Sequence, residues 1–161
     1  MKKYLWLVTF FVLQVSFAQN KVTTYYFIRH AEKVDDSKNP NLSEMGTERA
    51  KIWNELFSNI NLDAIYATDY NRTLQTVTPT ALSQKLSITK YNPKMIDIES
   101  FKKENLGKKV LIVGHSNTIP NFVNQMIEQN IYTDIPDNTF GNLYIVTIVG
   151  EAINYQLLKL R

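Results

Sequence analysis

The sequence predicts an α/β protein, a three-layer sandwich with a mostly parallel sheet, helices on both faces and an antiparallel C-terminal hairpin. Three observations carry this expectation. Short apolar runs rich in β-branched and aromatic residues alternate with stretches of helical spacing. Strands separated by helices pair in parallel, because the crossover returns the chain to the same edge direction. The last two apolar runs, residues 143–149 and 152–160, are separated only by Gly150 and Glu151, a hairpin connection.

The elements follow in order. Residues 1–18 begin with Lys2 and Lys3, continue through an apolar run and end at Ser16-Phe17-Ala18. This has the layout of a signal peptide cleaved after Ala18. The apolar run of about 14 residues is short for a span of about 20, and no cysteine is present to carry a lipid. The expected mature chain, residues 19–161, is therefore one exported domain, periplasmic or secreted, with no stable membrane anchor. Removing two lysines lowers the formal charge from +3 to +1. No basic stripe with interleaved aromatics remains, so nucleic acid is not an expected partner. With 44% apolar residues and 20% charged, the chain can build a core. The absence of cysteine excludes disulfides and thiolate chemistry.

Residues 22–28 read as a buried strand and residues 35–41 as a polar loop. Ser43 stands where a helix N-cap belongs, and Ala50, Trp53, Leu56 and Phe57 give the helix its apolar face. Gly46 weakens its first turn. Residues 62–67 form the next strand, followed by a helix over 72–85 that Pro79 is expected to end or kink. A short strand at 87–91 and a short helix at 98–105, stopped by Gly107, come next. The apolar strand 110–113 leads directly into Gly114-His115-Ser116-Asn117 and a helix over 119–129.

In open sheets of this kind, ligands gather at the carboxyl ends of the strands. Arg29 and His30 end the first strand, Asp69 to Arg72 follow the second, and His115 and Ser116 follow the strand at 110–113. Both histidines of the chain and two of the three arginines before Arg161 thus share one rim. Arginine forks repel metal ions but match phosphoryl oxygens. An imidazole can attack phosphorus, and a second, protonated one can stabilise the charge that develops. Backbone N–H groups of the helix after Asn117 would face the same anion. The same residues would also suit a catalytically weak binding module for phosphorylated ligands, which a turnover assay separates from an enzyme.

Four segments resemble, in order, the motifs of the histidine phosphatase superfamily, the phosphoglycerate mutase-like fold. They are Phe27-Ile28-Arg29-His30-Ala31-Glu32-Lys33, Asn41-Leu42-Ser43-Glu44-Met45-Gly46, the stretch Ala67 to Thr76 around Arg72, and Val113-Gly114-His115-Ser116-Asn117-Thr118. The resemblance implies that His30 is the nucleophile, that Arg29, Arg72 and His115 bind the phosphoryl group, and that Ser116 and Asn117 complete the anion site. It implies no metal and no organic cofactor. Ser43 is expected to cap its helix, and Glu32 and Lys33 to lie at the pocket mouth or in solvent. Many members place an acid between the second arginine and second histidine. Here Asp97, Glu99 and Glu104 fall in that interval, with helix capping the rival role for Asp97 and Glu99. Asp69 is a further candidate. The short chain resembles the compact branch of the family. It leaves little length for a capping insertion, so an open pocket for a small-molecule or protein phosphorylated substrate is expected. A mutase would need a closed pocket to retain a bisphosphorylated intermediate. Substrate and oligomeric state stay open.

Overall fold

The computed structural model describes residues 21–160. The expected signal peptide lies outside the described residues. The elements are β1 (Val22–Arg29), α1 (Glu44–Phe57), β2 (Ala64–Thr68), α2 (Asn71–Gln84), β3 (Ile88–Tyr91), α3 (Ile98–Glu104), β4 (Lys109–Gly114), α4 (Thr118–Ile127), β5 (Asn142–Val149) and β6 (Ala152–Lys159). They form one six-stranded sheet of order β3-β2-β4-β1-β5-β6. Strands β1 to β4 run parallel. β5 is antiparallel to β1, and β6 is antiparallel to β5. Among the described residues no helix is long and apolar enough to cross a membrane.

Successive strand side chains point to opposite faces, and this splits the core in two. Tyr25, Phe27, Val110 and Ile112 pack on one face with Phe101 of α3 and Phe122, Val123 and Met126 of α4. Ile28, Leu111 and Val113 pack on the other with Trp53 and Phe57 of α1 and Val77 and Ala81 of α2. Both central strands are buried on both faces, which explains why they read as continuous apolar runs.

The structure corrects one local expectation, that Pro79 could end its helix, and adds a second role to Gly46. Helix α2 runs through Pro79 without interruption. Proline removes one backbone hydrogen bond, but Thr73, Thr76, Val77, Thr80 and Ala81 are buried along this helix. Their packing outweighs the local loss. Gly46, read as a weak point, instead permits a close approach: a Cβ there would sit 2.1 Å from the carbonyl oxygen of Glu32. The start of α1 is tied to the same residue, since Ser43 N donates to Glu32 O at 2.9 Å. Ser43 Oγ also accepts from Gly46 N at 3.1 Å, which makes it the expected cap.

A prediction follows from this contact. Gly46→Ala forces α1 away from the backbone just beyond His30. It should lower stability by about 1–3 kcal/mol, the usual cost of overpacking, seen as a reduced urea midpoint. An unchanged midpoint would show that α1 does not pack this tightly.

Candidate active site

The parallel register of β1 and β4 pairs Arg29 with Gly114. The backbone continues the pairing by one step, as His30 N donates to Gly114 O at 2.9 Å. The residues that follow, His30 and His115, therefore leave the sheet side by side. Their ring centroids are 5.5 Å apart, close enough for both to touch one phosphate-sized ion. Arg72, on the first turn of α2, joins them from beyond β2. A cleft of about 640 Å³ is lined by Arg29, His30, Arg72, His115, Ser116 and Asn117, together with Lys33 and three aspartates.

The partners of each imidazole fix its protons. His30 Nδ1 lies 2.7 Å from Ala31 O. A carbonyl only accepts, so Nδ1 carries the hydrogen and a neutral ring keeps its lone pair on Nε2. Burial, with further effects from the neighbouring guanidiniums and His115, lowers the His30 pKa to about 3 despite the Ala31 hydrogen bond. The Ala31 peptide is itself held: its N–H donates to Thr76 Oγ1 at 2.8 Å, and that hydroxyl donates to Arg72 O.

His115 stands in a directional chain. Arg72 Nη2 can only donate, so His115 Nδ1 accepts from it at 3.3 Å. Nε2–H then donates to Thr68 Oγ1 at 2.9 Å. Thr68 Oγ1 donates to Thr73 Oγ1, and Thr73 donates to the carbonyls of Thr68 and Tyr70. Burial, then Arg72 and Arg29, lower the His115 pKa to about 4.

The two arginines are held differently. Arg29 Nη1 donates to the carbonyls of Pro136, Asp137 and Thr139 at 2.8, 3.1 and 3.0 Å. Phe140 stacks under its guanidinium at 4.3 Å, and Tyr70 stacks under that of Arg72 at 4.5 Å. Arg29 Nε and Arg72 Nη1 are buried with no hydrogen-bond partner. A buried cationic donor without a partner is costly, and an anion would relieve that cost at each. Among the described residues no group of three or more metal-ligating side chains occurs.

Other expected site residues lie elsewhere. Asp97 caps α3, its carboxylate accepting from Ser100 N at 2.7 Å. Glu99 pairs with Lys102 at 3.1 Å. Neither lines the cleft, since the first turn of a helix gives an acid a local partner of its own. Glu104 closes α3 outside the cleft, and Asp69 pairs with Lys90 at 2.7 Å. Glu32 turns from the mouth to Arg49 of α1 at 2.7 Å, whereas Lys33 lines the cleft and pairs with Asp36.

Sequence reasoning missed the supports and one wall. Thr68, Thr73 and Thr76 hold the imidazoles, and their signal was only the recurrence of threonine beside Arg72. The wall is the segment 128–141. Its signal was length, because a long segment without regular structure is usually functional.

A model of the histidine phosphatase superfamily, branch 1, matches residues 25–98. This stretch includes Arg29, His30 and Arg72. A search of curated proteins finds no match. Among solved structures, a candidate phosphohistidine phosphatase SixA from Agrobacterium tumefaciens shares 16% identity at a TM-score of 0.61, covering 86% of this chain and 99% of that one. Phosphoglycerate mutase from Bacillus anthracis shares 12% at 0.65, covering 88% and 94%. The protein histidine phosphatase SixA complexed with tungstate shares 12% at 0.66, covering 84% and 96%. At these identities the neighbours establish the fold. With the family model over residues 25–98, the shared fold makes the chain similar to the histidine phosphatase superfamily.

Proposed function

We propose that the protein is an exported phosphatase that hydrolyses a phosphomonoester or related phosphoryl compound through a phosphohistidine on His30. The observation that carries this reading is the bond from His30 Nδ1–H to Ala31 O. It leaves Nε2 as the one ring atom able to attack.

The steps follow from the groups around it. A substrate phosphoryl group binds against Arg29 Nε and Arg72 Nη1, the two buried donors that lack protein partners. Ser116 and Asn117, at the start of α4, border the same cleft and supply polar groups to the anion. His30 Nε2 attacks phosphorus and the ester oxygen departs. The bound dianion favours the imidazolium form of His115; its Nδ1 then gives up the bond it accepts from Arg72 Nη2 and donates to a phosphoryl oxygen, as Nη2 also turns to the phosphoryl group. Water hydrolyses the phosphohistidine and restores the ring. One structural neighbour holds tungstate, a tetrahedral oxyanion of the type this cleft would accept. The open cleft favours hydrolysis over mutase chemistry, since a mutase must enclose its bisphosphorylated intermediate. No metal or organic cofactor takes part in this scheme.

Export rests on Lys2, Lys3 and the apolar run to Ala18. Expression in a host with a secretory pathway should release a chain whose first residue is Gln19. N-terminal sequencing that finds Met1 on the accumulated protein would remove the export part of the proposal.

His30→Ala should lower kcat/KM on 4-nitrophenyl phosphate by at least about 10⁴-fold. Arg72→Ala should cost about 10²–10³-fold, with KM raised, because it removes both an anion donor and the partner of His115 Nδ1. Near-normal turnover by the His30 variant would refute the nucleophile assignment. Phosphate binding without turnover in the unaltered protein would favour the binding module.

The neutral imidazole is the reactive form, and it dominates above its pKa. Lowering that value to about 3 extends the active form of His30 into acid. After correction for substrate ionisation, kcat/KM should therefore show no acid-side break near pH 6.5, the ordinary histidine value. A break there, lost in no other variant, would mean that His30 titrates normally in the free protein.

A further inference from the structure

We propose that Asp134 is the acid that protonates the leaving group, and that the cleft behind it receives that group. The inference rests on the phosphatase reading above.

Three carboxylates border the cleft of the two histidines. Asp36, Asp134 and Asp137 line it. Asp36 is paired with Lys33, and Asp137 approaches Arg29 at 3.7 Å. The acids on neighbouring elements are also engaged: Glu32 by Arg49, Asp69 by Lys90, Glu99 by Lys102 and Asp97 by Ser100 N. Among the described residues, Asp134 is the cleft-lining carboxylate with no hydrogen bond or ion pair. It is free to face a ligand.

Its backbone, by contrast, is fixed on both sides. Asn124 of α4 accepts from the N–H of Ile131 and Tyr132 and donates to Tyr132 O, at 3.2, 3.0 and 2.8 Å. On the other side Ile135 N donates to Ser116 O at 2.9 Å, and the Ile135 side chain is buried in the core. Ser116 follows His115 directly. The backbone that bears this carboxylate is thus tied to Ser116, the residue next to the second imidazole, while the side chain itself is exposed.

Asp134 also lines a second cleft of about 620 Å³, and Asn117 is the other residue common to both. The two spaces therefore meet at these side chains. The second cleft carries Asn121 and Gln125 on the same face of α4, where Gln125 Nε2 donates to Asn121 Oδ1 and the remaining amide N–H and carbonyl groups stay available, with Lys94, Phe122 and Ile96 also in its lining. Carboxamides both donate and accept, as alcohol hydroxyls do. The space suits the hydroxyl-bearing alcohol part of a phosphate ester. An alcohol is a poor leaving group, and a placed acid matters most for such groups.

The step balances. As His30 Nε2 bonds to phosphorus, the phosphorus–oxygen ester bond breaks and its electron pair stays on oxygen. The Asp134 carboxyl proton passes to that oxygen and an alcohol leaves. In the second half, the Asp134 carboxylate takes a proton from the water that attacks phosphorus. The nitrogen–phosphorus bond breaks, phosphate departs and Asp134 is again protonated.

The test compares the purified protein with Asp134→Asn on 4-nitrophenyl phosphate, phenyl phosphate and glycerol 2-phosphate. The variant should lose about 10²-fold or more in kcat/KM on glycerol 2-phosphate, less on phenyl phosphate, and under threefold on 4-nitrophenyl phosphate, whose leaving group needs no proton. Asp134→Glu should recover part of the loss. An equal loss on all three esters, or none on any, overturns the assignment while the phosphatase reading stands. An unaltered protein inactive on every ester overturns both.

Discussion

The pairing of β1 with β4 is the constraint on which the site depends. Parallel register puts Arg29 opposite Gly114, so both strands end at the same level. One further backbone bond, from His30 N to Gly114 O, carries the alignment into the loops. Two histidines 85 positions apart in the sequence then meet with ring centroids 5.5 Å apart. The bulk of both strands is buried from both sides, so a slip of this register would expose a core face on each layer. The energy that fixes the reacting groups is thus largely the energy of the core.

On that frame, directionality of hydrogen bonding does the chemical work. A carbonyl at one ring and a guanidinium at the other leave no choice of tautomer: Nε2 of His30 is bare, and Nδ1 of His115 is turned to Arg72. The threonines beneath them act as relays, since each hydroxyl has both a donor and an acceptor role. Thr76 joins Ala31 to α2, and Thr73 closes the chain from His115. Desolvation then keeps both rings neutral in the absence of ligand, while two guanidinium nitrogens remain buried without partners. The free site carries an unmet demand for negative charge, which a phosphoryl dianion would meet on the proposed reading.

Much of this was legible in the sequence. The layered fold followed from apolar alternation, and the hairpin from its two-residue connection. Arg29, His30, Arg72 and His115 stood out because scarce residue types fell at strand ends. What was hidden has physical causes. The segment 128–141 holds Arg29 through the carbonyls of Pro136, Asp137 and Thr139, and a backbone carbonyl is the same for every residue type. Asp97 carries the right chemistry for an acid but spends it on a local N–H. Glu32 finds Arg49 across 17 positions, a contact that no local pattern encodes. Gly46 read as a flaw because its neighbour, the Glu32 carbonyl, is distant in sequence.

The central claim is that phosphorus bonds to one nitrogen of one ring. Rapid quenching of the protein during turnover, with histidines labelled in nitrogen-15, would place the label by phosphorus–nitrogen correlation in nuclear magnetic resonance. The account predicts a phosphoryl group on Nε2 of His30 that accumulates and decays with turnover. A group on Nδ1, on His115, or on no histidine during active hydrolysis would contradict it.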